Sequence, residues 1–184
     1  MLMNKFAAVA AFVGGLAIAA AAPAAADFTE IDCGSSAFAF VESGYHVDCE
    51  RSKENVRADE STGSSEIDVM NISSDDRTVF ITIVSVRVTA ARLYMEHRSL
   101  GENFRSAFSH LEIEDWSTIG NRNGYDSAEF NTQISGLPSS CVAVQRYTNA
   151  AWTGYTRRLI GMGCSSVDRG QVYTALTKLR APGD

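Results

Sequence analysis

Four cysteines, Cys33, Cys49, Cys141 and Cys164, are the residues whose type and number speak most directly of chemistry. No two stand in a C-x-x-C pair, the spacing of thioredoxin-type redox sites. Structural zinc sites bring their ligands in close pairs, and these four are far apart. Disulfides remain, and four cysteines allow three pairings. Cys33–Cys49 and Cys141–Cys164 join sequence neighbours, and the second has a geometric basis. Ser140–Tyr147 and Tyr155–Cys164 read as two strands of a hairpin around a polar loop, Thr148–Gly154. Opposed residues of an antiparallel hairpin keep a constant index sum. Cys141 opposite Cys164 then sets Ala143 opposite Met162 and Gln145 opposite Ile160, all on one face.

The three histidines offer acid–base or metal chemistry. His46 and Asp48 share one face of a short strand, but two ligands are not a site and no third is placed. His97, between Glu96 and Arg98, is a candidate general base that reads as a solvated turn residue beside an acid. His110 lies at a helix end, where the dipole favours its charged form. Asn121, Asn123 and Asp126 around Gly124 resemble part of a calcium loop without its bidentate glutamate, so a hairpin turn is expected there. Glu112, Glu114 and Asp115 are candidate paired carboxylates that read as an exposed acidic loop. The chain lacks G-x-S-x-G, H-E-x-x-H, S-x-x-K and Gly-rich nucleotide loops. No catalytic, metal-binding or cofactor-binding residue is expected.

These residues must be positioned by a mainly β chain. Tyr45–Glu50 alternates well enough for a short strand, and the charged, serine-rich Glu50–Ser65 reads as a solvated loop. A strand across Ile67–Ile72 ends at Ser73-Ser74-Asp75-Asp76. Thr78–Val88 is rich in Val, Ile, Phe and Thr and apolar on both faces, which predicts a central strand covered on both sides. Ser99 and Glu102 form an S-x-x-E capping box ahead of Leu100–Ser109, whose apolar residues recur at helical spacing. Asn123-Gly124 marks a hairpin turn between Trp116–Gly120 and a strand over Asp126–Ile134. Val167–Arg180 reads as a closing helix, with Ser165 placed to cap it, Asp168 in its first turn and Lys178 and Arg180 at its end.

Ahead of all this, Met1–Lys5 carries one positive charge, Phe6–Ala22 is apolar, and Ala24-Ala25-Ala26 fits the small-residue cleavage pattern of a secretory signal peptide. Residues 1–26 are therefore expected to be removed. Residues 27–184 are then one exported domain, periplasmic or secreted, where thiols oxidise and no transmembrane segment remains. Charge is uneven: residues 27–76 have a net of −10 and residues 77–184 a net of +3. A negative chain argues against nonspecific nucleic-acid binding, and the two segments are expected to pack on each other. Residues 27–184 hold 13 arginines and 2 lysines. Arginine is the better bidentate donor to carboxylates and phosphates.

The simplest closure is an α+β domain, a mainly antiparallel sheet with about two helices on one face, stabilised by disulfides. Its element order, ending in a hairpin that leads into a C-terminal helix, is similar to that of small secreted PsbP-like domains; the similarity is one of fold and carries no functional residue. The functional expectation is a noncatalytic exported domain that binds an unidentified protein or envelope partner, or is structural in the envelope. The alternatives are an exported hydrolase drawing on His97, Glu96 or His46, and a carrier of a small apolar or anionic ligand between sheet and helices.

Overall fold

A computed structural model describes residues 27–58, 61–89, 94–151 and 154–181. The expected signal peptide lies outside them. The strands are β1 (Thr29–Glu30), β2 (Ala39–Phe40), β3 (Tyr45–Ala58), β4 (Ser61–Ser74), β5 (Val79–Thr89), β6 (Gly120–Arg122), β7 (Tyr125–Ile134), β8 (Leu137–Ala151), β9 (Gly154–Ser165) and β10 (Leu179–Arg180). The helices are α1 (Leu100–Ala107) and α2 (Arg169–Leu176). Eight strands form one antiparallel sheet in the order β1-β3-β4-β5-β9-β8-β7-β6, and β10 pairs separately with β2. The chain is mostly sheet.

The long β3–β4 hairpin corrects the expected loop over Glu50–Ser65. Low apolar content there reflects a hairpin arm extending beyond the core, where strand alternation sorts polar residues against polar partners. Lys53 stands opposite Glu66 and Arg51 opposite Asp68. Tight turns fit their residues: Asn123-Gly124 and Ser135-Gly136 both have positive φ at each position, the geometry of hairpin turns that match strand twist. Ser99 caps α1 as expected, its hydroxyl accepting from the Glu102 N–H while Glu102 accepts from the Ser99 N–H. These hydrogen bonds hold the exposed Glu102 carboxyl below its ordinary pKa.

The two helices lie on opposite faces of the sheet, which corrects their expected placement on one. Strand alternation sends Val84, Val86 and Ile160 to the side of α1, where Phe104, Phe108, Phe130 and Trp116 pack. It sends Ile81, Ile83 and Leu159 to the side of α2, β2 and β10, with Phe38 and Ala175. A sheet with both faces apolar needs a layer on each, since covering one would leave half of these residues in water. Gly163 lets α2 sit close: a Cβ there would run into Val172 Cγ1. The closing helix is shorter than Val167–Arg180. Asp168 is its N-cap, Ser165 Oγ accepts from the N–H groups of Val167 and Asp168, and Leu179 leaves the helix to pair with Phe40.

Helix α2 is fastened to β7 through Glu129, whose carboxylate accepts from Tyr173 Oη at 2.6 Å and from Arg169 Nη1 at 2.8 Å. Burial first, then this hydrogen bond and the Glu129 charge, raise the Tyr173 hydroxyl above its ordinary pKa of 10.0. The folded protein thus keeps a proton that the unfolded chain loses near pH 10. This contribution to stability is complete below the unfolded value and disappears as pH rises through the folded one. Denaturant unfolding at pH 9 to 11 is therefore expected to show a steeper alkaline decline for the wild type than for Tyr173→Phe. Equal slopes would remove Tyr173 from the pH dependence.

Both disulfides form as paired above, Cys33–Cys49 and Cys141–Cys164. Strands β8 and β9 hold the register of constant index sum, with Ala143 opposite Met162 and Gln145 opposite Ile160. The first bridge joins the short 3-10 turn Cys33–Ser35 to β3 on the α2 face. The second lies in the α1 core. No helix among the described residues is long and apolar enough to cross a membrane.

Candidate functional site

The residues singled out for chemistry are scattered. His46 Nε2 lies 3.1 Å from Asp48 Oδ1, as expected from their shared strand face, and both are well exposed. His97 is exposed, as expected, but it is not without neighbours. Its ring packs on Tyr147 (centroids 4.9 Å apart) and Tyr155 (6.0 Å), because the Met95 backbone bonds to that of Tyr155 and lays the chain along the start of β9. Glu96 makes no ion pair with it among the described residues. His110 is exposed beside Phe108. The acidic loop serves the sheet edge: the Glu114 backbone pairs with Asn131, Thr132 Oγ1 donates to the Glu112 carbonyl, and Asn131 Nδ2 donates to Asp115. Asn121, Asn123 and Asp126 belong to the β6–β7 hairpin. Among the described residues, no group of three or more His, Cys, Asp or Glu is placed to hold a metal ion.

Two polar constellations were not read from the sequence. The first anchors α1. Asn103 Nδ2 donates to Gln145 Oε1 (2.7 Å) and Tyr147 Oη (2.9 Å), Arg158 Nη1 donates to Asn103 Oδ1 (2.8 Å), and Gln145 Nε2 donates to the Arg98 carbonyl (3.0 Å). Gln145 is fully buried. Its inward position followed from the hairpin index sum, which was the available signal. The amide groups use their hydrogen-bonding capacity on one another and on the α1 entry, which is what a buried polar network needs to be stable.

The second lies on the α2 face, beyond the layer that covers it. Lys53 of β3, Glu66 of β4, Arg87 of β5, Arg157 of β9 and Thr148 of β8 are successive in-register partners, so they form one rung across five strands and project to the same side. Lys53 Nζ is 2.9 Å from Glu66 Oε2, whereas Arg87 Nη2 is 3.7 Å from Glu66 Oε1. Arg157 makes no ion pair among the described residues. Burial first, then the charge of Arg87 opposite, lowers its pKa. The next rung is closed: buried Asp68 takes two hydrogen bonds from Arg51, at 2.5 and 2.9 Å, and one from the Ala37 N–H at 2.6 Å. Five buried side-chain nitrogen or oxygen atoms lack a hydrogen-bond partner among the described residues, and three of them, Arg87 Nε, Arg157 Nε and Thr148 Oγ1, are on the open rung.

The expected packing of the acidic segment on the basic one is only partial. Arg87–Glu66 and Lys178–Glu42 join the two, while Arg51–Asp68, Lys53–Glu66 and Arg169–Glu129 each stay within one segment.

Two open depressions lie elsewhere on the surface of the described residues. One, about 730 Å³, lies between the β4–β5 turn and α2 and is lined by Tyr45, Asp75, Asp76, Asp168 and Gln171 among others. Asp76 is occupied with its own turn: its carboxylate accepts from Ser74 Oγ and from Thr78 N–H and Oγ1, which lowers its pKa. The other, about 520 Å³, is lined by Glu112, Glu114, Thr132, Ser139 and Ser165 among others. Neither brings a histidine to an acid. Compared with known proteins, the chain matches no family model, no curated protein and no solved structure.

Proposed function

We propose that residues 27–184 are a single noncatalytic domain, exported after removal of residues 1–26, that binds a partner through the open part of its α2 face. The two disulfides fit an oxidising compartment. The observation that carries the binding reading is the rung of Lys53, Arg87, Arg157 and Thr148. Buried polar groups in folded proteins are almost always satisfied, so a cluster of exceptions on one surface calls for an explanation. Our reading is that a ligand brings the acceptors. Exposed or spent as they are, the histidines offer no comparable concentration of unused capacity.

The test returns variants to a strain lacking the protein. Arg157→Glu is expected to abolish the biological activity at normal abundance, and His97→Ala to retain most of it. The reverse pattern would favour the hydrolase alternative, because loss of a general base costs about a hundredfold or more in rate.

A further inference from the structure

We infer that the open rung is a phosphate site: a tetrahedral oxyanion, free or as a phosphoryl group on a larger molecule, held between the guanidinium groups of Arg87 and Arg157 with the Thr148 hydroxyl as a further donor. The inference deepens the binding reading above and rests on it.

Directly opposed residues of an antiparallel pair have Cβ atoms about 4.5–5.5 Å apart, so two arginines at such positions reach one small ligand together. Arg87 and Arg157 occupy directly opposed positions on β5 and β9. Like charges placed so repel each other, and the nearby acids relieve Arg157 only in part: Glu66 and Asp68 favour its charged form, but burial and Arg87 outweigh them. Glu66 is engaged by Lys53 at 2.9 Å and stands 3.7 Å from Arg87, on the side away from Arg157. Asp68, on the adjacent rung, is already engaged by Arg51 and the Ala37 N–H. Lys53, Arg87 and Arg157 against Glu66 thus leave a net of two positive charges on this rung, in a chain whose net charge is −6. Each guanidinium offers a planar fork of donors suited to oxyanions. Two forks and a hydroxyl supply more donors than the two oxygens of a carboxylate accept, which favours the phosphate group. An anion there also offsets the cost of burial and the repulsion acting on Arg157.

The test is a titration of the oxidised, exported protein, followed by the Arg Nε–H resonances in nitrogen–proton correlation spectra at constant ionic strength. The probes are inorganic phosphate, glycerol 1-phosphate and acetate, with vesicles of phosphatidylglycerol or phosphatidylcholine sedimented in parallel. Saturable shifts at Arg87 and Arg157 are expected with phosphate or glycerol 1-phosphate, and not with acetate. Arg157→Gln and Thr148→Val should each weaken binding, the former about tenfold or more, because a charge-assisted hydrogen bond is lost. Arg77→Gln, in the exposed β4–β5 turn, should leave it unchanged. Arg157→Lys, which keeps the charge and loses the fork, should fall between. Selective sedimentation with phosphatidylglycerol identifies the phosphoryl group as a lipid headgroup; saturation by the free ions without sedimentation identifies a soluble ligand. Equal response to acetate, equal weakening by Arg77→Gln, or no saturable response to any phosphate probe overturns the inference. If no phosphate binds yet Arg157→Glu abolishes biological activity, the oxyanion assignment fails and the binding face stands. If Arg157→Glu is also neutral in the strain, both fail.

Discussion

Asp68→Ala is expected to cost about 3–5 kcal/mol, the range for removing one partner of a buried ion pair. Asp68 is 2% exposed and takes three hydrogen bonds, two from Arg51 and one from the Ala37 N–H. Without it, Arg51 keeps only the Ser35 carbonyl, and the backbone N–H that fastens residues 37–40 over the α2 face loses its acceptor. The loss is thus a partly buried charge and an orphaned donor together. Urea unfolding of wild type, Asp68→Ala and the apolar double replacement Arg51→Met/Asp68→Leu separates these terms. The double variant should be distinctly more stable than Asp68→Ala, because it leaves no charge behind. A single-variant cost below about 1 kcal/mol, the range of surface pairs, would mean that Asp68 is reached by water.

Cys141→Ser is the second large loss, expected at about 2–5 kcal/mol. The bridge spans 23 residues of sequence and both cysteines are essentially fully buried against the α1 core. Freeing it restores conformational entropy to the unfolded chain and, in the variant, places a hydroxyl among Phe130, Ala143 and Ile160. Cys33→Ser should cost less. Its bridge spans 16 residues, and Cys33 is only partly buried, in a turn at the layer's margin. Guanidinium unfolding of both variants, each extrapolated with its own denaturant slope, checks the order. A larger loss for Cys33→Ser would show that the bridge under the α2 layer matters more than the one in the hairpin.

Local features were legible wherever a short stretch of sequence contains both partners. The Ser99–Glu102 capping box and the Asn123-Gly124 turn each need only a few residues. The β8–β9 register needed one further fact, the pairing of Cys141 with Cys164. The Glu50–Ser65 arm failed because its strands carry polar residues on both faces, leaving no apolar alternation to read. The closing helix ran too far because Leu179 fits an apolar helical stripe and a strand equally well, and β2 decides between them. The helices lie on opposite faces because β5 is apolar on both faces, a property that demands two layers. The candidate site was legible only as an excess of arginine. Setting Arg87 beside Arg157 requires the β5–β9 pairing, between strands about 70 residues apart, and no local pattern carries that register.

That same pairing divides the sheet into two meanders, β3-β4-β5 and β6-β7-β8-β9, each built from consecutive antiparallel neighbours. Strands within a meander meet by closing short loops, whereas the seam between β5 and β9 closes a far longer one, and non-local closure is the slow part of folding. The cysteines respect this division: Cys33–Cys49 lies wholly ahead of the seam's first strand, and Cys141–Cys164 within the second meander. Each half can therefore oxidise correctly before the halves meet, and neither bridge has to be reshuffled when the seam closes. Neither disulfide crosses the seam, so beyond the chain's own connection from β5 to β6 the two meanders are held together by non-covalent contacts alone.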